Sequence, residues 1–217
     1  MTIVSCKTDF TAQEREVIHA GDREIMYVLS IAEPEDSLQL REVCLPVSER
    51  MLQGEDYATL RRRMLATVQD PENEGVGIAA LGGAFRGLRM RQCDALLLGS
   101  LATVQDPENE GVGIAAPQVG VLRRMVAVQR FDKEGEPFEF FLNPEIVERI
   151  GEKQSGGEGC LSVPEIRGDV ERWQKIRLRY HDEQFAEREE IIEGFTAVIF
   201  QHELDHLDGR LFIDYIE

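Results

Sequence analysis

The chain has 217 residues, enough for one domain with its own core, and its 42% hydrophobic and 30% charged residues are ordinary for a globular protein. A formal net charge of −17 argues against non-specific nucleic-acid binding, which depends on basic patches. No apolar run approaches the length of a membrane span, the N-terminus shows no basic-then-apolar leader, and four scattered Cys do not form a disulfide framework, so a cytoplasmic protein is expected.

In chain order, residues 1–25 are polar and weakly patterned, and are read as an extension, either a flexible tail or the product of an upstream start codon. A single domain then spans 26–217, opening on Met26 to Ile31 as a strand. Residues 55–69 read as a helix: Tyr57, Leu60, Met64 and Val68 recur at helical spacing, with Arg61, Arg62 and Arg63 largely on the solvated face. The chain then repeats itself, since Leu65 through Ala80 is identical to Leu101 through Ala116. Sixteen matching residues in two copies make an internal duplication rather than a solenoid, whose units diverge and number three or more. Only the second copy runs on into Pro117-Gln118-Val119-Gly120.

Because the repeat is exact, two threadings compete. In one, residues 55–69 hold the helix and residues 71–108 leave the domain as a surface excursion. In the other, residues 93–105 take over the helix, which replaces Met64 by Ser100 on the core face and puts Gly99 mid-helix. A lost buried Met side chain costs about 2–5 kcal/mol and a mid-helix Gly about 1 kcal/mol. Each doubling of a surface loop costs only about 0.6 kcal/mol. The first threading is therefore expected. Beyond Gln118 the pattern is β-rich: Val121 to Val128, then Phe138 to Leu142 closed by Asn143-Pro144, then Val163, Ile176 to Tyr180 and the stretch before Glu193. Strands in runs around one helix indicate an α+β domain, with antiparallel or mixed sheets around a central metal-binding helix.

That helix is Gly194 through His206. Its first turns are apolar on nearly every side, as in a buried helix, yet it carries His202, Glu203 and His206, an H-E-x-x-H pattern. Four residues of spacing put both imidazoles on one face, about a turn apart, where they can grip one divalent metal; Glu203 beside them can take a proton from water. Two surface histidines are the bland alternative, but buried polar groups need partners and a metal would supply one. Asp205, Asp208 or a backbone carbonyl could orient the outer ring nitrogens. A catalytic metal usually takes a third protein ligand. Cys160 stands out in the glycine-rich run Gly156-Gly157-Glu158-Gly159-Cys160-Leu161-Ser162, although a lone Cys on a strand is more often a small buried hydrophobe.

Three stretches together resemble the signature motifs of peptide deformylases: Gly111 through Gln118, Glu158 through Ser162, and Gln201 through Gly209, with Phe141 to Ile146 similar to a strand between the first two. The resemblance covers roughly residues 26–216. It implies Cys160, His202 and His206 as ligands of one divalent metal, with Fe(II) in cells; the donor set also suits Zn, Ni or Co. It implies Glu203 as the general base, and Gln118 with the backbone N–H of Leu161 as donors to a developing oxyanion. The substrates would be N-formyl-methionyl peptides and nascent chains, deformylated with release of formate by a monomer that touches neither nucleic acid nor membrane. Gly113 and Ile114 would pair with the substrate backbone, Glu158 and Gly159 would adjoin it, and Arg167 would stand near it, paired with Glu158. Phe195, Val198 and Ile199 would line the methionine pocket or serve as ordinary core. A metallopeptidase is the competing enzyme, though its third ligand would normally be His or Glu. An inactive deformylase-like protein is the reading from another class, motivated by the duplication.

Overall fold

The computed structural model describes residues 9–70 and 111–216. Its elements run α1 (Ala12–His19), α2 (Pro34–Gln39), α3 (Glu49–Leu52), α4 (Glu55–Val68), β1 (Gly113–Ala115), β2 (Met125–Gln129), β3 (Phe138–Cys160), β4 (Val163–His181), β5 (Glu187–Glu193) and α5 (Gly194–Leu207). Short 3-10 turns follow β1 at Ala116–Val119 and α5 at Phe212–Asp214. The five strands form one sheet in the order β1-β2-β3-β4-β5, every pair antiparallel. The class is α+β, with helices on both faces of an antiparallel sheet.

Both faces are covered, and β2 records it. Side chains alternate across a strand. Met125 and Ala127 join α4 residues Leu60, Met64 and Val68 in one core cluster, while Val126 and Val128 join Ala197, Ile199, Phe200 and Leu204 of α5 in another. A strand packed on both faces reads as a continuous apolar run. A third, smaller cluster of Val163, Val170, Leu211 and Phe212 lies against Cys160.

Helix α4 forms where its periodicity placed it, so the chain adopts the threading in which the first repeat copy closes that helix and the second supplies β1. Val68 of the first copy meets Gly111 of the second, where an added Cβ would stand 2.8 Å from Val68 Cγ2. The surface excursion expected for 71–108 lies outside the described residues.

Four expectations are corrected. Residues 9–25 are not a loose tail. A capping box at Thr11 and Glu14 starts α1, and Phe10, Ile18 and Met26 belong to the α4 core. The fully buried Arg123 guanidinium donates to both oxygens of Glu14, at 2.7 and 2.9 Å, and pins the segment from 109 positions away. Met26 to Ile31 forms no strand and joins no sheet among the described residues; it binds through Leu29 N–H to Gln118 O and Ile31 N–H to Ser162 O. Arg63 is buried rather than solvated, donating to the carbonyls of Ile18 and Ala20. Finally, Asn143-Pro144 does not end its strand. A register shift between Leu142 and Glu145 absorbs both residues, Asn143 takes φ 50°, and its side-chain amide closes two bonds with the backbone of Val47, so β3 continues to Cys160.

Candidate active site

Helix α5 is buried along nearly its whole length and carries His202, Glu203 and His206 inward, beneath the end of β3. Cys160 closes β3 where the chain turns back into β4. These elements bring the Cys160 Sγ and one nitrogen of each histidine within 4.8 Å of one another, all three residues buried. Cys160 Sγ lies 3.2 Å from His206 Nε2, and the two imidazole centroids are 5.1 Å apart. Three converging donors, one sulfur and two nitrogens, suit a divalent transition metal. The residues present fit such an ion.

The first imidazole is oriented by a carboxylate that sequence reasoning did not assign to it. His202 Nδ1 is 2.9 Å from Glu158 Oε2, so Nδ1 donates to the carboxylate and Nε2 is the nitrogen left to face the ligand cluster. Glu158 in turn accepts two bonds from Arg172, at 2.7 and 3.0 Å. Burial pushes the Glu158 carboxyl up, but the bonds from His202 and Arg172 outweigh it and hold that carboxyl down at about 2. Burial also works against a charged His202, yet bonds to Cys160 and Glu158 raise its pKa. Burial, followed by the charges of His202 and Arg172, drives His206 well below its usual value and keeps it neutral, the form that ligates. The expected pairing of Glu158 with Arg167 is overturned: the partner is Arg172, and Arg167 is exposed. Both Glu158 oxygens are engaged, so only its backbone remains for a substrate. Neither Asp205 nor Asp208 bonds an imidazole directly. The β3–β4 register sets Arg172 opposite Gln154 and Glu158 opposite Gly168, on one face of the sheet, and the long Arg172 side chain spans the distance to Glu158.

Glu203 sits beside the ligand cluster and is 3% exposed. Its Oε2 has no hydrogen-bond partner, and burial raises its pKa to about 7. A carboxyl poised there can both accept and return a proton at neutral pH. Gly113 of β1 makes room for it, because a Cβ at that position would lie 2.9 Å from Glu203 Cδ. Among the described residues β1 pairs with β2 alone. Gln118, on the turn after β1, is 2% exposed. Its Oε1 accepts the Ala115 N–H at 2.8 Å, which aims Nε2 at Cys160 Sγ and Ser162 Oγ, each 3.4 Å away. Leu161 follows Cys160 at the β3–β4 turn. Along α5, Val198 and Ile199 are buried within a turn of His202, and Phe195 packs on Phe131 with centroids 5.3 Å apart.

The Polypeptide deformylase family profile matches residues 91–217. A peptide deformylase of Leptospira biflexa serovar Patoc is 45% identical over 185 residues, covering 82% of each chain. A peptide deformylase of Hyphomonas neptunium is 41% identical over 155 residues, covering 71% of this chain and 84% of the relative. Among solved structures, the Met-Ala-Ser-bound class I type b peptide deformylase of Acinetobacter baumannii superposes with a TM-score of 0.63 at 30% identity, covering 88% of this chain and 98% of that one. The chain belongs to the peptide deformylase family of metal-dependent hydrolases.

Proposed function

We propose that this enzyme hydrolyses the formyl amide at N-formyl-methionyl chain ends and releases formate. The observation that carries the reading is the convergence of Cys160, His202 and His206 beside a buried Glu203 carboxylate that has an oxygen without a partner. A divalent ion held by Cys160, His202 and His206 would supply Lewis acidity and water activation at that point. The donor set suits Fe(II), Zn, Ni or Co, and the family resemblance favours Fe(II).

The remaining steps belong to the chain's own residues. Glu203 takes a proton from the attacking water and delivers it to the departing amine. As the formyl carbon becomes tetrahedral, its oxygen gains charge. Gln118 Nε2, held by its Oε1 bond to Ala115, and the Leu161 N–H donate to that oxygen. Strand β1 at Gly113 and Ile114 adds the substrate backbone as a further strand, with the backbones of Glu158 and Gly159 on its other side and Arg167 nearby; strand addition holds a peptide without reading its sequence. Val198, Ile199 and Phe195 shape the methionine pocket. The Met-Ala-Ser ligand named for the Acinetobacter structure is of the same chemical kind as the product expected here.

We read the enzyme as a cytoplasmic monomer acting on nascent chains; no helix among the described residues is long and apolar enough to cross a membrane. The test is formate release from formyl-Met-Ala-Ser by anaerobically purified full chain, with metal content measured on the same sample. Stoichiometric metal without formate would overturn the assignment, and cleavage of internal peptide bonds instead would favour the metallopeptidase.

A further inference from the structure

The segment after α5 folds back on the ligand cluster. The Phe212 ring stacks on His202 with centroids 6.2 Å apart and planes 23° apart. Ile216 packs so closely on β4 that a Cβ at Gly168 would stand 2.7 Å from Ile216 Cγ2. Between these two anchors lies Tyr215. Its hydroxyl donates to Asp205 Oδ1 at 3.0 Å, and its ring lies under the Arg172 guanidinium, 4.9 Å from Cζ to centroid.

From Tyr215 an unbroken run of contacts leads to a ligand. Arg172 Nη1 donates to the second Asp205 oxygen at 2.6 Å, while its Nε and Nη2 hold Glu158. Glu158 accepts from His202 Nδ1. A guanidinium is planar and presents its donors in a fixed fork, so its plane cannot serve Asp205 and Glu158 independently. Tilting it to follow a displaced Asp205 also turns the fork on Glu158, and the carboxylate then turns the imidazole. Tyr215 constrains that plane twice, through the Asp205 carboxylate, whose Oδ1 it holds, and through the face of its own ring.

We propose that Tyr215 is a positioning residue of the metal centre: through Asp205, Arg172 and Glu158 it sets the ring orientation of His202, and so how firmly Cys160, His202 and His206 retain a divalent ion. The inference rests on the reading of those three residues as the ligand set. Tyr215 reaches the centre only through other side chains, and its ring is 42% exposed. A residue that merely fastened the end of the chain would alter stability without altering the ligands.

The experiment uses the full chain loaded anaerobically with Co(II), whose visible spectrum reports ligand geometry. Tyr215→Phe keeps the ring and removes the hydroxyl; Tyr215→Leu removes both. Asp214→Asn serves as the comparator, because Asp214 anchors the same segment through Arg41 and the Leu211 N–H without touching the run of contacts. Outer-shell partners of metal ligands typically contribute about 10–100-fold in metal affinity, and Tyr215 stands further out, so Tyr215→Phe is expected to release Co(II) to a chelator about 3–10-fold faster and to shift the Co(II) spectrum. Tyr215→Leu should do more, and Asp214→Asn should match the parent in both readouts. Parental release and spectrum in Tyr215→Phe would overturn the proposal, as would equal acceleration by Asp214→Asn. Should Tyr215→Leu fail to fold, the Phe variant decides alone. A parent chain that takes up no stoichiometric Co(II) would instead overturn the ligand set itself, and this inference with it.

Discussion

Glu203 is the residue at which function works against stability, and Glu203→Gln separates the two. In the metal-free chain its buried carboxyl titrates at about 7 instead of the usual 4.5, which corresponds to about 3 kcal/mol. The folded state binds the proton more tightly than the unfolded state does. Below pH 4.5 the group is neutral in both states and the penalty is absent; it grows as pH rises towards 7 and is complete above. Gln keeps the shape and stays neutral, and the unpartnered Oε2 is replaced by an equally unpartnered amide, so about 2–3 kcal/mol of the penalty should be removed at pH 8 and almost none at pH 4. Urea unfolding of metal-free parent and variant at the two pH values measures this. Deformylation should meanwhile fall by about 10²–10⁴-fold, the usual contribution of a positioned acid–base group, with metal content unchanged. A variant no more stable than the parent at pH 8 would refute the argument from burial, and one keeping more than a few per cent of activity would refute the assigned role.

Cys160→Asp should weaken retention of the divalent ion and lower turnover, since a thiolate ligand is lost; unchanged metal content and turnover would reduce Cys160 to a core residue. Gly113→Ala should lower kcat at least about 10-fold with the fold intact by circular dichroism, because the new Cβ must displace the Glu203 carboxylate or the substrate-pairing edge. Removing residues 1–25 takes Glu14 from the buried Arg123 and should cost about 3–5 kcal/mol in urea unfolding; a truncated chain of parental stability would show that the pin is dispensable. Deleting residues 81–116 joins Ala80 to Pro117 and leaves one copy of the repeat. Because Val68 and Gly111 already touch, the remaining chain can bridge that gap, and the shortened enzyme should be at least as stable and as active in melting and formate assays.

What could be read from residues alone followed local periodicity. The α4 stripe, the apolar α5 and the i, i+4 histidines all depend on neighbours within a turn or two, and they form as read. Long-range electrostatics escaped. The Arg172–Glu158 pair is set by the register of two long strands, and nothing near Arg172 in the sequence distinguishes it from Arg167, five positions earlier. The Arg123–Glu14 pin joins segments that carry no shared pattern, so residues 9–25 look like a tail until the core is assembled. At Asn143-Pro144 the turn signal was genuine, since φ is positive there, but bonds to Val47 turn it into a bulge within one strand rather than a strand end.

The exact repeat also gives the molecule a matched pair of positions that most proteins lack. Gly77 and Gly113 stand in the same sixteen-residue sequence, so any preference written into the local sequence applies equally to both. Only one glycine can occupy the space beside the Glu203 carboxylate, and Gly113 holds it. The same substitution can therefore be made in either copy of one peptide within a single chain. The difference between the two variants isolates what tertiary environment, rather than amino-acid sequence, demands of a glycine.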